Sequence, residues 1–298
     1  MQYYNSKDWL KPLFQFHKAD TFRKLLPMLI LLALYTGGVA WLEMHYLKLA
    51  NQAYVKNIPI MHQLLGFAIS MLLVFRTNSA YDRWWEGRKL WGSLVNNCRN
   101  LAIKLDSMLA ANDFDNRNYC RKMLGLFPKE LQLHLQKDST RYELDETEHP
   151  EIASFDRNKH MPLQFSLALQ KRIQLLYQQQ HISGDQLITL NAELQSLMDI
   201  CGACERIKNT PIPYSYSSFI KKFIAVYVAT LPLGFAFTLG WIAIPVVVFI
   251  FYVLASLELI AEEIEDPFGT DTNDLPMDKM ADNIRNNVYD VISLPSSK

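Results

Sequence analysis

The sequence lacks a charge excess of either sign, and this excludes one large class of function. Thirty Lys and Arg residues balance thirty Asp and Glu residues over 298 positions, so the formal net charge is zero. A protein that binds nucleic acid in general carries a basic excess. We therefore expect no nucleic-acid partner.

Cysteine is scarce as well, with four residues, too few for a disulfide framework in a chain of this length. Cys201 and Cys204 form a CxxC motif, but no second pair and no His at zinc-finger spacing accompany it. The motif also lies inside a predicted helix. We interpret the two cysteines as buried helix positions, with zinc or redox use as the less favoured alternative.

Catalytic motifs are missing too. The chain has no HExxH, no P-loop, no Gly-rich dinucleotide turn and no recognisable nucleophile–base set. Its seven histidines are scattered singly and lack metal-ligand spacing. We predict that the protein is not an enzyme. A secondary transporter would favour internal repeats, which the apolar segments do not show, so that class is also less favoured.

What the sequence does have is a segregation of apolar residues that the mean hydropathy, close to zero, conceals. Four apolar segments each approach the roughly 20 residues that cross a bilayer; they are 25–42, 58–75, 223–239 and 241–260. The polar middle shows helical periodicity, and no strand-like alternation persists. We predict an all-α protein with four transmembrane spans and a large helical domain, the second span continuing as a helix beyond the membrane.

These patterns divide the chain into five parts. We expect an amphipathic arm over 1–24, spans 1 and 2 over 25–76, a helical domain over 77–215, spans 3 and 4 over 216–261, and an acidic loop with a C-terminal segment over 262–298. The start of the chain is too mixed in charge for a cleavable signal. Basic residues flank the spans on one side, which predicts cytoplasmic termini and a cytoplasmic helical domain in a cell inner membrane; they are Arg23, Lys24, Arg76, Arg83, Lys221 and Lys222.

The second span carries polar and small residues that a lipid-facing helix would not need. His62 either lines the outer mouth of a pathway or bonds to a neighbouring helix. Gly66 and Ser70 form a small-xxx-small pair that permits close contact between helices.

Two charged clusters follow apolar runs, at 76–92 and 262–276, and they carry a family resemblance. The chain resembles the bestrophin family of pentameric ion channels, and most closely its bacterial branch. The resemblance rests on Phe75-Arg76, Tyr81-Asp82-Arg83-Trp84, Glu86, Arg88, Leu90-Trp91-Gly92, Cys204-Glu205-Arg206, Thr210-Pro211-Ile212-Pro213-Tyr214, 262–269 and 273–276.

The resemblance implies a homopentamer around a central pore, with lipids outside and monovalent ions inside. It places Phe67, Met71 and Phe75 in a hydrophobic neck lined by the second span of each subunit. Their i, i+4 spacing puts all three on one helix face, and such a ring can gate ions by dewetting. The alternative is that the three side chains fill a helix bundle.

The resemblance further implies a calcium clasp in the acidic segment of calcium-activated relatives. The matching carboxylates here are Glu263, Asp266, Asp271 and Asp274, which are suitable oxygen ligands for Ca²⁺. Thr270 and Thr272 interrupt the acidic run, so calcium is not a required cofactor. In the alternative, Asp271 and Asp274 cap the helix predicted over 277–291. We also expect Glu262 and its neighbours to pair with Arg83, Arg88 and Arg206, because unpaired carboxylates near hydrocarbon are costly.

A third family feature is a restriction at the cytoplasmic exit, which falls near Asp185 and Gln186. If Asp185 faces the axis, five carboxylates would attract cations and repel anions. If Asp185 is only a helix N-cap, it says nothing about selectivity. These expectations favour a channel permeable to monovalent cations such as Na⁺. A chloride or other anion channel, with or without calcium regulation, is the alternative.

Overall fold

A computed structural model of the chain describes residues 20–47, 57–136, 155–156 and 159–293. The described residues form α-helices joined by turns, with no strands, which confirms the all-α prediction. The predicted arm lies mostly outside them, in residues 1–19. The helices are α1 (Asp20–Leu42), α2 (Ile58–Met108), α3 (Phe114–Leu135), α4 (Met161–Gln178), α5 (Gly184–Asn209), α6 (Tyr214–Leu239), α7 (Ala243–Glu265) and α8 (Met277–Val291).

The second helix is much longer than a membrane span. It runs for 51 residues without a break, which at 1.5 Å per residue is roughly 75 Å, against a hydrocarbon core of about 30 Å. Apolar side chains dominate its first third, and charged residues interleaved with tryptophan follow. The prediction that the second span continues as a helix beyond the membrane is therefore confirmed.

Three stretches of the described chain are long and apolar enough to cross a membrane: Thr21–Tyr46, Ile58–Met108 and Tyr214–Glu265. The third contains two helices, because a 3₁₀ turn over Gly240–Ile242 separates α6 from α7 and the two helices pack against each other. Gly240 makes this turn with φ of 55°, a left-handed conformation that glycine adopts at little cost. The four predicted spans thus correspond to α1, the first part of α2, α6 and α7.

The chain divides into two compact units, and their boundaries differ from the predicted ones. The membrane unit contains the described residues through Arg83 together with Pro211–Asp266. Its core is formed by apolar side chains of α1, α2, α6 and α7, among them Leu29, Leu73, Leu231 and Val247. Both α6 and α7 extend beyond their apolar segments, so this unit includes charged turns that hydropathy assigned elsewhere.

The second unit, here called the helical unit, contains Trp84–Thr210 and the residues from Pro267 onward. Within it, α3 packs against α4 and α8, and α4 packs against α5. All four cysteines are buried in its core. Burial raises the pKa of the Cys201 and Cys204 thiols to about 12, which agrees with buried helix positions rather than a reactive pair.

Candidate ion pathway and its supporting charges

The predicted neck residues share the face of α2 that points away from the core of the membrane unit. Phe67, Met71 and Phe75 are 73%, 51% and 53% exposed. Side chains this apolar need lipid or another protein surface to cover them. The alternative that they fill the bundle of their own chain is wrong, since the bundle lies against the opposite face of the helix.

That opposite face docks onto α6 at His62 and onto α7 at Arg76. His62, Ile69, Leu73 and Arg76 are buried there. The Nε2 atom of His62 lies 3.2 Å from the Thr230 hydroxyl, and its Nδ1 atom lies 3.1 Å from the Ile58 carbonyl. Of the two interpretations of His62, the structure shows the bond to a neighbouring helix.

The small residues of α2 have different roles. A Cβ added to Gly66 would lie 2.8 Å from the Tyr227 hydroxyl, so this position needs glycine for close contact with α6. Ser70 is exposed, and its hydroxyl donates to the Gly66 carbonyl 2.7 Å away. Only the first member of the predicted pair brings two helices together.

Among the described residues of the membrane unit, the most buried charge is Arg76, at the end of the apolar part of α2. Its side chain is 1% exposed, and Nη2 donates to Glu265 Oε2 over 2.6 Å. Its Nε atom lies 3.6 Å from Glu258 Oε1, which is an ion pair without a hydrogen bond. Sequence reasoning did not include Arg76 in the charge network. A basic residue at the end of an apolar run is the signal that could have identified it as a member.

Glu265 joins several segments of the membrane unit. Besides Arg76, its side chain accepts the backbone N–H of Ile212 over 2.7 Å. Its backbone carbonyl accepts a bond from Arg83 Nε over 3.0 Å. Arg83 therefore contacts the acidic segment at the backbone carbonyl of Glu265.

Other predicted pairings need correction. Glu262 pairs with Lys221, about two turns into α6, at 2.9 Å rather than with a distant arginine. Arg206 pairs with Glu86 at 2.7 Å in the helical unit. The Arg88 guanidinium lies over Gly92 of its own helix, where an added Cβ would be 3.4 Å from Nη1. Lysines on helices adjacent to the acidic segment are closer than the predicted arginines, and they take its outer carboxylates.

The two charged clusters of the sequence do meet in the helical unit. The indole N–H of Trp84 donates to the Asn273 carbonyl over 3.0 Å. A Cβ added to Gly87 would lie 3.1 Å from Pro267 and 3.2 Å from Phe268. Glycine at position 87 thus lets the segment after α7 lie directly on α2.

The four predicted calcium ligands fall into both units. In the membrane unit, Glu263 pairs with Lys24 at 3.0 Å, and Asp266 is the C-cap residue of α7. In the helical unit, Asp274 is buried and accepts the Asp271 N–H over 2.6 Å. The alternative that these aspartates cap α8 is wrong, because its N-cap is Pro276 without a side-chain bond. Calcium binding stays a prediction.

At the predicted exit, Ser183 and not Asp185 caps α5. The Ser183 hydroxyl accepts the Gln186 N–H over 3.2 Å, and Gln186 Oε1 accepts the Ser183 N–H over 2.8 Å, which is a capping box. Asp185 is exposed in the first turn, so its carboxylate is not used as a cap. One turn further on, Ile188 is 70% exposed. Sequence reasoning did not identify Ile188. The signal that could have found it is a β-branched apolar residue on the otherwise polar side of α5.

The described residues thus form a helical membrane protein. One of its spans has an exposed apolar face, and buried ion pairs lie at the end of that span. Comparisons with known proteins agree with this class. The family model described as bacterial/fungal bestrophin protein matches residues 1–290. The chain therefore belongs to the bestrophin family of ion channels, as the charged clusters predicted.

Individual relatives extend the match. The chain is 35% identical to the "voltage-dependent anion channel-forming protein alr2987" of Nostoc sp., covering 83% of each chain. It is 30% identical to "voltage-dependent anion channel-forming protein YneE" of Escherichia coli, over 93% of this chain and 89% of that one. A crystal structure of a bacterial bestrophin homologue from Klebsiella pneumoniae superposes with a TM-score of 0.79 and 28% identity, covering 91% of this chain and all of the other.

Proposed function

We propose that this protein forms a homopentameric channel of the cell inner membrane that conducts monovalent cations, Na⁺ among them, through a hydrophobic neck. The observation that carries the proposal is the exposed row Phe67, Met71 and Phe75 on α2. Five such rows around an axis would form three apolar rings. A constriction of this kind withholds hydration from an ion and so acts as a gate.

The exit of the pathway supports cation selectivity. Because Ser183 supplies the cap of α5, the Asp185 carboxylate is left exposed to solvent. Five copies near an axis would concentrate cations and repel anions. Ile188 supplies an exposed apolar side chain one turn away, suited to a second narrow ring.

An anion channel is the second candidate, and the names of the relatives favour it. Both the Nostoc and the Escherichia coli proteins are described as forming anion channels. Calcium regulation belongs to either candidate and would use the carboxylates of Glu263, Asp266, Asp271 and Asp274.

The neck is tested by reconstituting the purified protein in planar bilayers under a NaCl gradient. We expect larger currents from the F67A/M71A/F75A variant than from the native chain, because smaller side chains widen and wet the constriction. Unchanged currents would argue against a neck at these positions. No current from either protein, despite verified insertion, would remove the channel proposal.

Selectivity is read from the reversal potential in the same experiment. A value near the Na⁺ equilibrium potential supports the cation channel, and a value near that of Cl⁻ supports the anion candidate. Asp185→Asn should move a cation-selective potential toward zero. Ser183→Ala is the matched control, since it removes the cap of the same helix without changing charge. Repeating both measurements with Ca²⁺ and with a chelator tests calcium regulation.

A further inference from the structure

Three side chains with metal-binding atoms converge in the helical unit. The Nε2 atoms of His134 and His160 each lie 2.6 Å from the same oxygen, Glu205 Oε1. The ligand atoms of the three residues all lie within 4.8 Å of one another. In the described part of the chain, this is the one group of three or more His, Cys, Asp or Glu residues with that geometry.

The cluster is assembled by tertiary packing from three helices. His134 lies in the last turn of α3, His160 is the N-cap residue of α4, and Glu205 lies in α5. The histidines precede Glu205 by 71 and 45 residues. The two imidazole rings are tilted against each other, with centroids 4.2 Å apart.

We propose that His134, His160 and Glu205 bind a divalent transition-metal ion of the Zn²⁺ type. Two imidazole nitrogens and one carboxylate oxygen are the ligand types that Zn²⁺ prefers. Ca²⁺ and Mg²⁺ favour sets made of oxygens alone. This site is therefore distinct in chemistry from the acidic segment considered for calcium.

The exposure of the cluster suits an ion that enters from solvent. The side chains of His134, His160 and Glu205 are 17%, 31% and 28% exposed. Three protein ligands leave a fourth tetrahedral position for water.

Metal binding must displace hydrogen bonds that the cluster makes without it. The imidazole N–H groups now point at Glu205, and the Nδ1 atom of His160 accepts the Leu163 N–H over 3.1 Å. A metal on Nε2 moves the His160 proton to Nδ1, so this cap of α4 is lost. Lys208 donates to the Leu135 carbonyl beside His134 and adds a nearby positive charge. These costs predict an affinity below that of a fully preformed zinc site.

The first test measures Zn²⁺ binding to the full chain in detergent. Metal is removed with a chelator, Zn²⁺ is added back by equilibrium dialysis, and bound metal is counted by elemental mass spectrometry. We expect one ion per chain. Because even neighbours of metal ligands affect affinity by roughly 10–100-fold, Glu205→Gln and His134→Gln should weaken binding at least that much.

The matched control is His181→Asn. His181 is an exposed histidine of the same unit, 3.4 Å from Asp113, and lies outside the cluster. This variant should bind Zn²⁺ like the native chain. Two results would overturn the proposal. In the first, the native chain binds Zn²⁺ and no cluster variant binds it more weakly. In the second, the native chain does not bind Zn²⁺ stoichiometrically.

A second measurement needs no substitution and so does not depend on the variants folding. Co²⁺ in a four-coordinate site absorbs strongly in the visible range, whereas hydrated Co²⁺ absorbs weakly. The proposal expects the strong spectrum from the native chain and its loss on addition of Zn²⁺. If the native chain gave only the weak spectrum of hydrated Co²⁺, the proposal would be overturned, and the three side chains would form a hydrogen-bonded cluster without a metal.

Discussion

At the scale of single residues, buried Arg76 holds the end of the apolar part of α2 against α7. Its guanidinium lies between Glu265 and Glu258, with 2.6 Å to the first and 3.6 Å to the second. Removing one partner of a buried ion pair leaves the other charge uncompensated, which costs far more than the pair itself contributes. The arginine is therefore a structural requirement of the membrane unit.

Arg76→Met should lower the free energy of unfolding by about 3–5 kcal/mol. Glu258 and Glu265 would remain in a poorly solvated site without their shared cation. Unfolding in mixed detergent micelles, followed by circular dichroism, measures this change.

Lys221→Met is the matched control for Arg76→Met. It breaks the 2.9 Å pair with Glu262, in which both side chains are half exposed, and should cost no more than about 1 kcal/mol. Equal losses in the two variants would contradict the buried role of Arg76.

Glycine substitutions provide a second comparison at this scale. Gly66→Ala places a methyl group 2.8 Å from the Tyr227 hydroxyl and should destabilise the protein by about 1–3 kcal/mol through overpacking. Gly38→Ala on α1 meets nothing within 4 Å, so its stability should be unchanged or slightly higher. Thermal melting of the purified variants distinguishes them, and a loss at Gly38 as large as that at Gly66 would refute the argument.

At the scale of elements, α8 is attached to α3 by a carboxylate in its first turn. Asp278 Oδ1 accepts from Lys129 Nζ over 2.7 Å and from Gln132 Nε2 over 2.8 Å. These two hydrogen bonds lower the pKa of Asp278, and burial acts in the opposite direction. A lowered carboxyl pKa contributes stability above the unfolded value of about 3.9, and this contribution is lost as the pH falls through the folded value.

Asp278→Asn should therefore lower the urea midpoint at pH 7 and match the native midpoint only once the pH lies below the lowered folded pKa of Asp278. The difference should be small, as is typical of an exposed pair. Asp282→Asn is the control, since Asp282 lies on the same helix and its pair with Arg285 is 3.8 Å long and exposed. A difference between the native chain and Asp278→Asn that does not shrink as the pH is lowered from neutral into the acid range would show that the charge is not responsible.

At the scale of the whole molecule, the orientation in the membrane follows from where the basic residues lie. The positive-inside rule predicts that the termini and the helical unit face the cytoplasm and that the turn between α6 and α7 faces outward. The four native cysteines are buried, so an introduced cysteine can be labelled without background.

Ile242→Cys, in the exposed turn, should react with an impermeant maleimide on intact spheroplasts. Ala111→Cys, exposed after the end of α2, should react only after lysis. Labelling of both variants after solubilisation verifies that each site is accessible. The reverse pattern would invert the proposed topology.

Much of the fold could be predicted because local sequence determines it. Apolar length fixes the four spans. Helical periodicity predicted helices in the polar middle, where α3, α4 and α5 lie, and a helix over 277–291, where α8 lies. The predicted ends of the helices were less accurate. Both α6 and α7 extend into charged segments, and the helical state of those segments depends on tertiary contacts such as the Arg76–Glu265 pair. The i, i+4 spacing also predicted that Phe67, Met71 and Phe75 share one face of α2, because spacing along a helix is a local property. That this face lines a neck came from the family resemblance and stays a prediction.

The sequence alone determined the family, the span number and the helical character, because hydrophobic length and motif order are written along the chain. Tertiary structure decided which charges meet. Arg76 and Glu265 are 189 residues apart, and packing selected this pair over the arginines that sequence favoured. The same holds for His134, His160 and Glu205, three residues without any shared spacing. Contacts between distant residues depend on how the helices pack, and that information is spread over the whole core.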